Sequence, residues 1–152
     1  MATRTVTHVV QVATEHVRIP VARARVQRAV ESVLRAERVR DAQLSVTFVS
    51  DRRMAALNWR HLGHRGSTDV ISFGFVPVAN GAPVTGDVYI APAVARRNAL
   101  DHGVGIREEL LRLVVHGTLH VLGHDHPVDE ARYTSPMWRR QERLLQRALL
   151  SA

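Results

Sequence analysis

The chain has 152 residues, 45% of them hydrophobic, and no cysteine. This length suffices for a single domain with its own core, and the missing cysteines exclude disulfides and thiolate metal sites. The formal net charge is +7, and the chain contains arginine but no lysine. Because guanidinium groups match phosphate oxygens, the charge favours a nucleic-acid partner. The base composition of the genome is an alternative explanation for arginine in place of lysine.

The hydrophobic pattern predicts one α+β domain over residues 1–152, in which helices pack on a single mixed sheet of about four strands. Asn80-Gly81 signals a turn between the last two strands. In chain order the predicted elements are a strand at 4–13, a helix at 20–38, a strand at 42–49, a short helix capped by Ser50 or Asp51 that ends near Arg60, strands at 70–75 and 84–90, and helices at 92–101, 106–122 and 136–150.

The chain carries no pattern typical of export or membrane insertion. Gln11 interrupts the apolar run near the amino terminus, which also lacks the basic start of a signal peptide. No segment approaches the roughly 18 to 20 apolar residues that a bilayer crossing needs. We therefore expect a soluble cytoplasmic protein without membrane attachment.

The helix predicted at 106–122 is apolar on almost every side after its first two turns. A helix of this kind is usually buried. Its only strongly polar later residues are His116, Thr118 and His120. The sequence therefore predicts a central buried helix that carries two histidines.

Residues 116–126 read HGTLHVLGHDH. His116 and His120 are four residues apart, so both imidazoles lie on one face of a helix. His126 follows shortly after Gly123, a residue suited to ending the helix. These three histidines are expected to form a cup of nitrogen ligands for one divalent metal, with one coordination position left open, as in catalytic sites.

Two neighbours compete with His126 for the third ligand position. His124 directly follows Gly123, and Asp125 is a carboxylate that can instead accept a hydrogen bond from a ligand imidazole. Zn²⁺ is the metal expected for three neutral imidazoles and a water, one ion per chain. Nickel, cobalt and manganese are not excluded by the ligand type.

The two histidines on one helix also occur in metalloproteases of the H-E-x-x-H type. In those enzymes the glutamate beside the first histidine is the general base. Here Gly117 stands in that position, and glycine cannot accept a proton. The sequence therefore argues against a protease.

Three blocks of the sequence resemble the YbeY family of bacterial endoribonucleases. HGTLHVLGHDH at 116–126 is similar to the family pattern H-G-x-L-H-L-x-G-x-D-H, with Val121 as its one departure. The block LN at 57–58 followed by STDVISF at 67–73 is similar to the family's L-N and P-T-D-V-L-S-F. GDVYI at 86–90 is similar to its G-D-I-x-I strand. The blocks follow one another in the family's order.

The resemblance implies a cytoplasmic, single-domain, zinc-dependent hydrolase with its metal on His116, His120 and His126. It implies cleavage of single-stranded RNA in the maturation of the small-subunit rRNA 3′ end and in ribosome quality control. The implied partners are ribosomal RNA and the small ribosomal subunit or its assembly factors.

The chain departs from the family at a cleft arginine. The family carries a tyrosine-arginine pair five residues before its proline-threonine step, and Leu62 stands here at the place of the arginine. Ser67 replaces the family proline. Arg60 and Arg65 lie close by in the sequence and are candidates for the missing RNA contact.

The general base is not fixed by the sequence. Asp69, Asp87, His124, Asp125 and the RNA 2′-hydroxyl are candidates, with Asp69 and Asp87 expected more often to bind backbone donors near turns or strand ends. Trp59 and Trp138 are expected to pack in the core or between helices.

Two other classes of function compete with the endoribonuclease. The first is a non-catalytic RNA-binding or ribosome-assembly factor, in which His124 or Asp125 closes a structural metal site as the fourth ligand. The second is a hydrolase that acts on a peptide or a small molecule. A vacant coordination position favours an enzyme, and a steep dependence of binding on salt favours a polyanionic substrate.

Overall fold

A computed structural model of the chain describes residues 5–75, 77, 79 and 81–150. Its elements confirm the predicted order and add one 3-10 helix before the last α-helix. They are β1 Thr7–Thr14, α1 Arg23–Ala36, β2 Asp41–Phe48, α2 Asp51–Leu62, β3 Val70–Phe75, β4 Val84–Ile90, α3 Pro92–His102, α4 Ile106–Val121, a 3-10 helix Glu130–Thr134 and α5 Pro136–Leu150.

The four strands form one mixed sheet in the order β1-β2-β4-β3. β1 pairs with β2 and β2 pairs with β4 in parallel, whereas β3 and β4 are antiparallel. Val70 of β3 lies opposite Ile90 of β4. The predicted α+β class with a single mixed sheet is therefore confirmed. In the predicted turn between β3 and β4, Asn80 lies outside the described residues and Gly81 has a φ of +86°.

Helix α4 is the central helix of the domain. It packs against β3 and β4 on one side and against α1, α3 and α5 on the others. Leu110, Leu111, Val114 and Leu119 are all at most 1% exposed, because these neighbours cover the helix on nearly every side. The histidine-bearing helix is thus buried, as its apolar sequence predicts.

Three glycines allow α4 to approach the sheet closely. A Cβ atom at Gly117 would lie 2.5 Å from Val88 Cγ1 in β4. A Cβ at Gly86 would lie 2.4 Å from Val121 Cγ1, and one at Gly74 would lie 2.5 Å from the carbonyl oxygen of Val121. Distances below 3 Å are not compatible with a methyl group, so α4 can lie at this depth only because these side chains are absent.

The element boundaries differ from the predicted ones at a few ends. β1 begins at Thr7, α1 begins at Arg23 after the turn that contains Pro20, and residue 4 lies outside the described residues. Ser50 is the residue that caps α2, since its Oγ accepts a hydrogen bond of 3.2 Å from the backbone N–H of Arg53. Gly63, in the left-handed conformation, ends that helix.

The expectation that Trp59 packs in the core is wrong. Its side chain is on the outer face of α2 and is 58% exposed. It carries the guanidinium of Arg65 over its ring at 5.5 Å from the centroid. None of the helices in the described part of the chain has the length and apolar character that a bilayer crossing requires.

Candidate metal centre

The structure brings His116, His120 and His126 together at one point. One ring nitrogen from each lies within 4.8 Å of the other two. The first two histidines project from the same face of α4, and a left-handed Gly123 with a φ of +97° turns the chain back so that the third reaches them. The ring centroids are 4.6 to 5.1 Å apart. This is the arrangement that the spacing of the three histidines predicts.

Hydrogen bonds fix which nitrogen of His116 faces the centre. Its Nδ1 lies 2.6 Å from Gln141 Oε1, while the Gln141 amide nitrogen donates to Glu142 Oε2 at 3.0 Å. Because a carboxylate only accepts, Gln141 must present its oxygen to the histidine, which therefore donates from Nδ1–H. The lone pair of His116 is then on Nε2. His126 is fixed in the same way, since its Nδ1 lies 2.7 Å from the carbonyl oxygen of Pro127.

A cluster of charges, in which Glu109 is buried and Arg112 and Glu142 are partly buried, positions Gln141. Arg112 binds both oxygens of Glu142, at 3.1 Å from Nε and 3.0 Å from Nη2, and it binds Glu109 at 3.0 Å. Glu109 is only 3% exposed. Burial acts to lower the pKa of Arg112, but its hydrogen bonds and charge interactions with Glu142 and Glu109 outweigh burial and raise that pKa above its usual value. The cluster therefore holds a permanent cation behind the hydrogen bond that His116 donates to Gln141.

Burial favours the neutral form of two histidines of the centre, His116 and His120. It lowers the pKa of His116 to about 4, against the opposing hydrogen bond to Gln141, and the charges of His120, His126 and Arg132 lower it further. The pKa of His120 is lowered as well, first by burial and then by His126. Neutral imidazole is the form that binds metals, so the centre is ready for a ligand role at neutral pH.

The lowered pKa of His116 predicts how the metal-free protein responds to acid. Between pH 6.5 and about 4 the unfolded chain binds a proton that the folded chain excludes, so the free energy of unfolding falls as the pH falls through this window. Urea unfolding in the presence of a chelator, repeated across this range, measures the effect. The slope is expected to be shallower in His116→Gln, and an equal slope in both proteins would show that this histidine is not the cause.

His124 and Asp125 lie beside the centre but point to other partners. His124 Nε2 contacts Glu37 Oε1 of the α1 carboxyl end, and Glu37 also binds Arg140 at 2.7 Å. Asp125 Oδ1 accepts a hydrogen bond of 2.8 Å from the backbone N–H of His126. Asp125 therefore helps to shape the loop that carries the third histidine, and its hydrogen bond goes to the backbone rather than to an imidazole.

The histidines open onto a cleft of about 770 Å³ between α4, β3 and the segment before α5. Asp69 lines this cleft, where its oxygens accept hydrogen bonds from Val70 N–H at 2.8 Å and from Asn98 Nδ2 at 3.3 Å. Asp87 lies outside the cleft and accepts a hydrogen bond of 2.6 Å from Ser45. Asp69 thus has the backbone contact expected of it and also lines the cleft, whereas Asp87, expected to bind a backbone donor, accepts its hydrogen bond from the Ser45 hydroxyl within the sheet instead.

Gly117 explains why a protease base is absent from this helix. The position faces the sheet, where an added Cβ would meet Val88 at 2.5 Å and Ser72 Oγ at 3.1 Å. A glutamate at 117 would be forced into this packed interior rather than into the cleft. A glutamate at position 117, which the H-E-x-x-H mechanism requires, is therefore incompatible with the packing of α4 on the sheet.

The sequence profile described as Endoribonuclease YbeY matches residues 10–149. The chain belongs to the YbeY family. Endoribonuclease YbeY of Pelotomaculum thermopropionicum is 38% identical to it over 130 residues, which make up 82% of this chain and 84% of that protein. Endoribonuclease YbeY of an Anaeromyxobacter species is 37% identical over 125 residues, or 81% of this chain and 65% of that protein. The names place the YbeY family among the hydrolases that cut RNA.

A protein of Thermotoga maritima with a known solution structure has a similar fold. The TM-score is 0.59 at 22% sequence identity, over 91% of this chain and 88% of the other. At this identity the similarity concerns the fold alone. It agrees with the mixed sheet and the central α4 of this member of the YbeY family.

The cations of the cleft do not lie at the position where the resemblance to the YbeY family implies one. Leu62, at the place of the family arginine, does line the cleft, whereas Arg60 and Arg65 are exposed on or beyond the end of α2 and do not line it. The arginines that line it are Arg112 and Arg132. Sequence reasoning missed both, because one lies on the buried helix and the other in the segment after the metal motif, far from position 62.

Proposed function

We propose that this chain is a zinc-dependent endoribonuclease that cleaves single-stranded RNA. Its proposed work is the maturation of the small-subunit rRNA 3′ end and ribosome quality control in the cytoplasm, in contact with the small subunit or its assembly factors. The observation that carries the proposal is the convergence of three imidazoles on the floor of a cleft in a chain of the YbeY family.

The residues of the centre fit a zinc ion. His116 and His126 each have Nδ1 engaged by an oxygen, which leaves Nε2 free as a metal ligand. Among the described residues the cluster contains three ligand groups and no fourth, so one tetrahedral position stays open for water or substrate. When bound, zinc would supply a Lewis acid and lower the pKa of a bound water to about 7.

Removal of a proton from the attacking group requires a residue of the cleft. Four side chains are candidate proton acceptors, namely Asp69, Asp87, His124 and Asp125. Asp69 alone of these lines the cleft, and we propose it as the general base. Its hydrogen bonds to Val70 and Asn98 fix the orientation of the carboxylate.

Gln141 is expected to contribute to metal affinity through His116. Gln141→Met keeps the size of the side chain but removes the acceptor for Nδ1–H, so the imidazole loses its fixed orientation. The affinity for zinc should fall by about 10- to 100-fold. Competition with a chromophoric chelator measures the change. Gln146→Met, on the exposed side of the same helix, is the matched control and should bind zinc like the unaltered protein.

The proposed activity is tested with one RNA sequence presented as a single strand and as a duplex. The zinc-loaded protein should cut the single strand, lose this activity on chelation, and regain it when zinc returns. Undiminished cleavage by protein shown to be free of metal would contradict the proposal. Unfolding of the domain on metal removal, together with binding of RNA without cleavage, would instead support the assembly factor with a structural metal.

A further inference from the structure

The segment between the third histidine and α5 places an arginine and two aromatic rings in the cleft. Arg132 and Tyr133 belong to the 3-10 helix, and Trp138 lies in the first turn of α5. The rings of Tyr133 and Trp138 meet edge to face at 4.9 Å, and the guanidinium of Arg132 lies over the Tyr133 ring at 4.9 Å. All three side chains line the same cleft as the histidines.

The charge of Arg132 is not neutralised by a carboxylate of the described chain. The other cleft arginine, Arg112, binds Glu108, Glu109 and Glu142. By contrast, no acidic side chain within the described ranges forms an ion pair with Arg132, whose recorded partner is the Tyr133 ring. A cation that lines a cleft without an anionic partner is available for an anion of a ligand.

The aromatic pair of Tyr133 and Trp138 is also accessible to solvent through Tyr133. Tyr133 is 40% exposed although its ring contacts both the guanidinium of Arg132 and the indole of Trp138. Aromatic rings that are held in place and reachable from solvent, beside an arginine, are typical of surfaces that stack nucleobases of single strands. Packing between helices, the role expected of Trp138, accounts for the contact of the two rings but not for the exposure of Tyr133.

Local hydrogen bonds hold the segment in shape. Asp129 Oδ1 caps the 3-10 helix by accepting from Ala131 N–H at 2.9 Å. Ser135 Oγ accepts from Trp138 N–H at 3.2 Å, and Arg139 donates to the carbonyl oxygen of Thr134 at 2.9 Å. The segment that carries Arg132, Tyr133 and Trp138 is therefore ordered before any ligand binds, which reduces the conformational entropy lost on binding.

We propose that Arg132, Tyr133 and Trp138 form a nucleotide subsite beside the metal centre, in which Arg132 binds a phosphate of single-stranded RNA and Tyr133 stacks on a base. The proposal rests on the proposed RNA-cleaving function and names the residues that hold its substrate. In this proposal Arg132, in the segment after His126, provides the phosphate contact of the cleft. Leu62 cannot provide that contact because its side chain has no charge.

The test is the binding of a fluorescent 2′-O-methyl oligouridylate to the full-length zinc-loaded protein at several salt concentrations, with the oligonucleotide confirmed intact afterwards. Arg132→Gln should reduce the slope of log affinity against log salt by about 0.7, the value for one phosphate contact on a single strand. Arg143→Gln removes an equal charge from the exposed side of α5 and should leave the slope nearly unchanged.

Tyr133→Ala should weaken binding by about 5- to 150-fold, the range for the loss of one stacked base, whereas Tyr133→Phe should bind like the unaltered protein. Zinc content should be the same in all variants, which separates loss of the subsite from loss of the metal centre. The proposal is overturned if Arg132→Gln matches Arg143→Gln, or if Tyr133→Ala binds normally.

The subsite and the proposed nuclease activity can fail separately. RNA cleavage by the unaltered protein, combined with normal binding by the Arg132 and Tyr133 variants, would overturn the subsite alone. Binding that depends on Arg132 and Tyr133, in a protein that cuts no RNA, would support the subsite and contradict the nuclease.

Discussion

His120→Ala is expected to lose its metal and to cleave single-stranded RNA more than about 100-fold more slowly, a larger loss than the 10- to 100-fold typical of removing an outer hydrogen-bond partner of a ligand. The substitution removes one of three converging nitrogens and leaves two imidazoles that cannot hold the ion in a fixed geometry. Metal content by atomic emission and initial cleavage rates measure the two effects on the same preparation.

The control for this substitution is His64→Ala. His64 is exposed in the loop after α2, outside the cleft, so its loss should change neither metal content nor rate. Circular dichroism of both variants checks that the fold is retained. Full metal content with undiminished cleavage in folded His120→Ala would refute the ligand role of this histidine.

Arg112→Met is expected to destabilise the domain by about 3–5 kcal/mol, the range for removing one partner of a buried ion pair. The aliphatic part of the side chain is largely preserved, but Glu109, which is 3% exposed, is left as an uncompensated carboxylate in the interior. Glu142 also loses the hydrogen bonds that it accepts from Nε and Nη2 of the guanidinium. Urea unfolding at neutral pH with zinc present measures the loss.

Arg35→Met is the matched control for Arg112→Met. Arg35 forms an ion pair with Glu31 on the surface of α1, where its side chain is 63% exposed, so its loss should cost less than about 1 kcal/mol. The double variant Arg112→Met/Glu109→Gln should be more stable than Arg112→Met, because it no longer buries a lone carboxylate. Equal losses from Arg112→Met and Arg35→Met would show that the buried cluster contributes little.

The sequence predicted those parts of the site that lie close together along the chain. His116 and His120 share a helix face because of their spacing, and His126 returns through a turn that Gly123 allows. The strands and helices could be predicted from the spacing of hydrophobic residues, because each element buries one of its own faces and this spacing is also local in the sequence. The expected RNA-cleaving chemistry came from the motifs that resemble the YbeY family, at 57–58, 67–73, 86–90 and 116–126.

The parts that the sequence did not predict depend on contacts between distant segments. Gln141 lies 25 residues from His116, and nothing in the pattern of α5 distinguishes it from the exposed Gln146. Arg132 became a cleft residue only because the segment after His126 folds back over the site. Trp59 was misplaced because residue type indicates burial only on average. Its side chain lies on the outer face of α2, where it is 58% exposed and only the Arg65 guanidinium of the described residues is placed over its ring.

The central claim is that three imidazoles hold one metal ion with a vacant position facing the cleft. Anomalous diffraction at the zinc edge, from crystals of the zinc-loaded protein, tests it most directly. The account predicts one ion bonded to a nitrogen of each of His116, His120 and His126 at about 2.0–2.1 Å, with water or a small anion as the fourth ligand. An ion bound elsewhere, or a fourth position closed by His124 or Asp125, would contradict it.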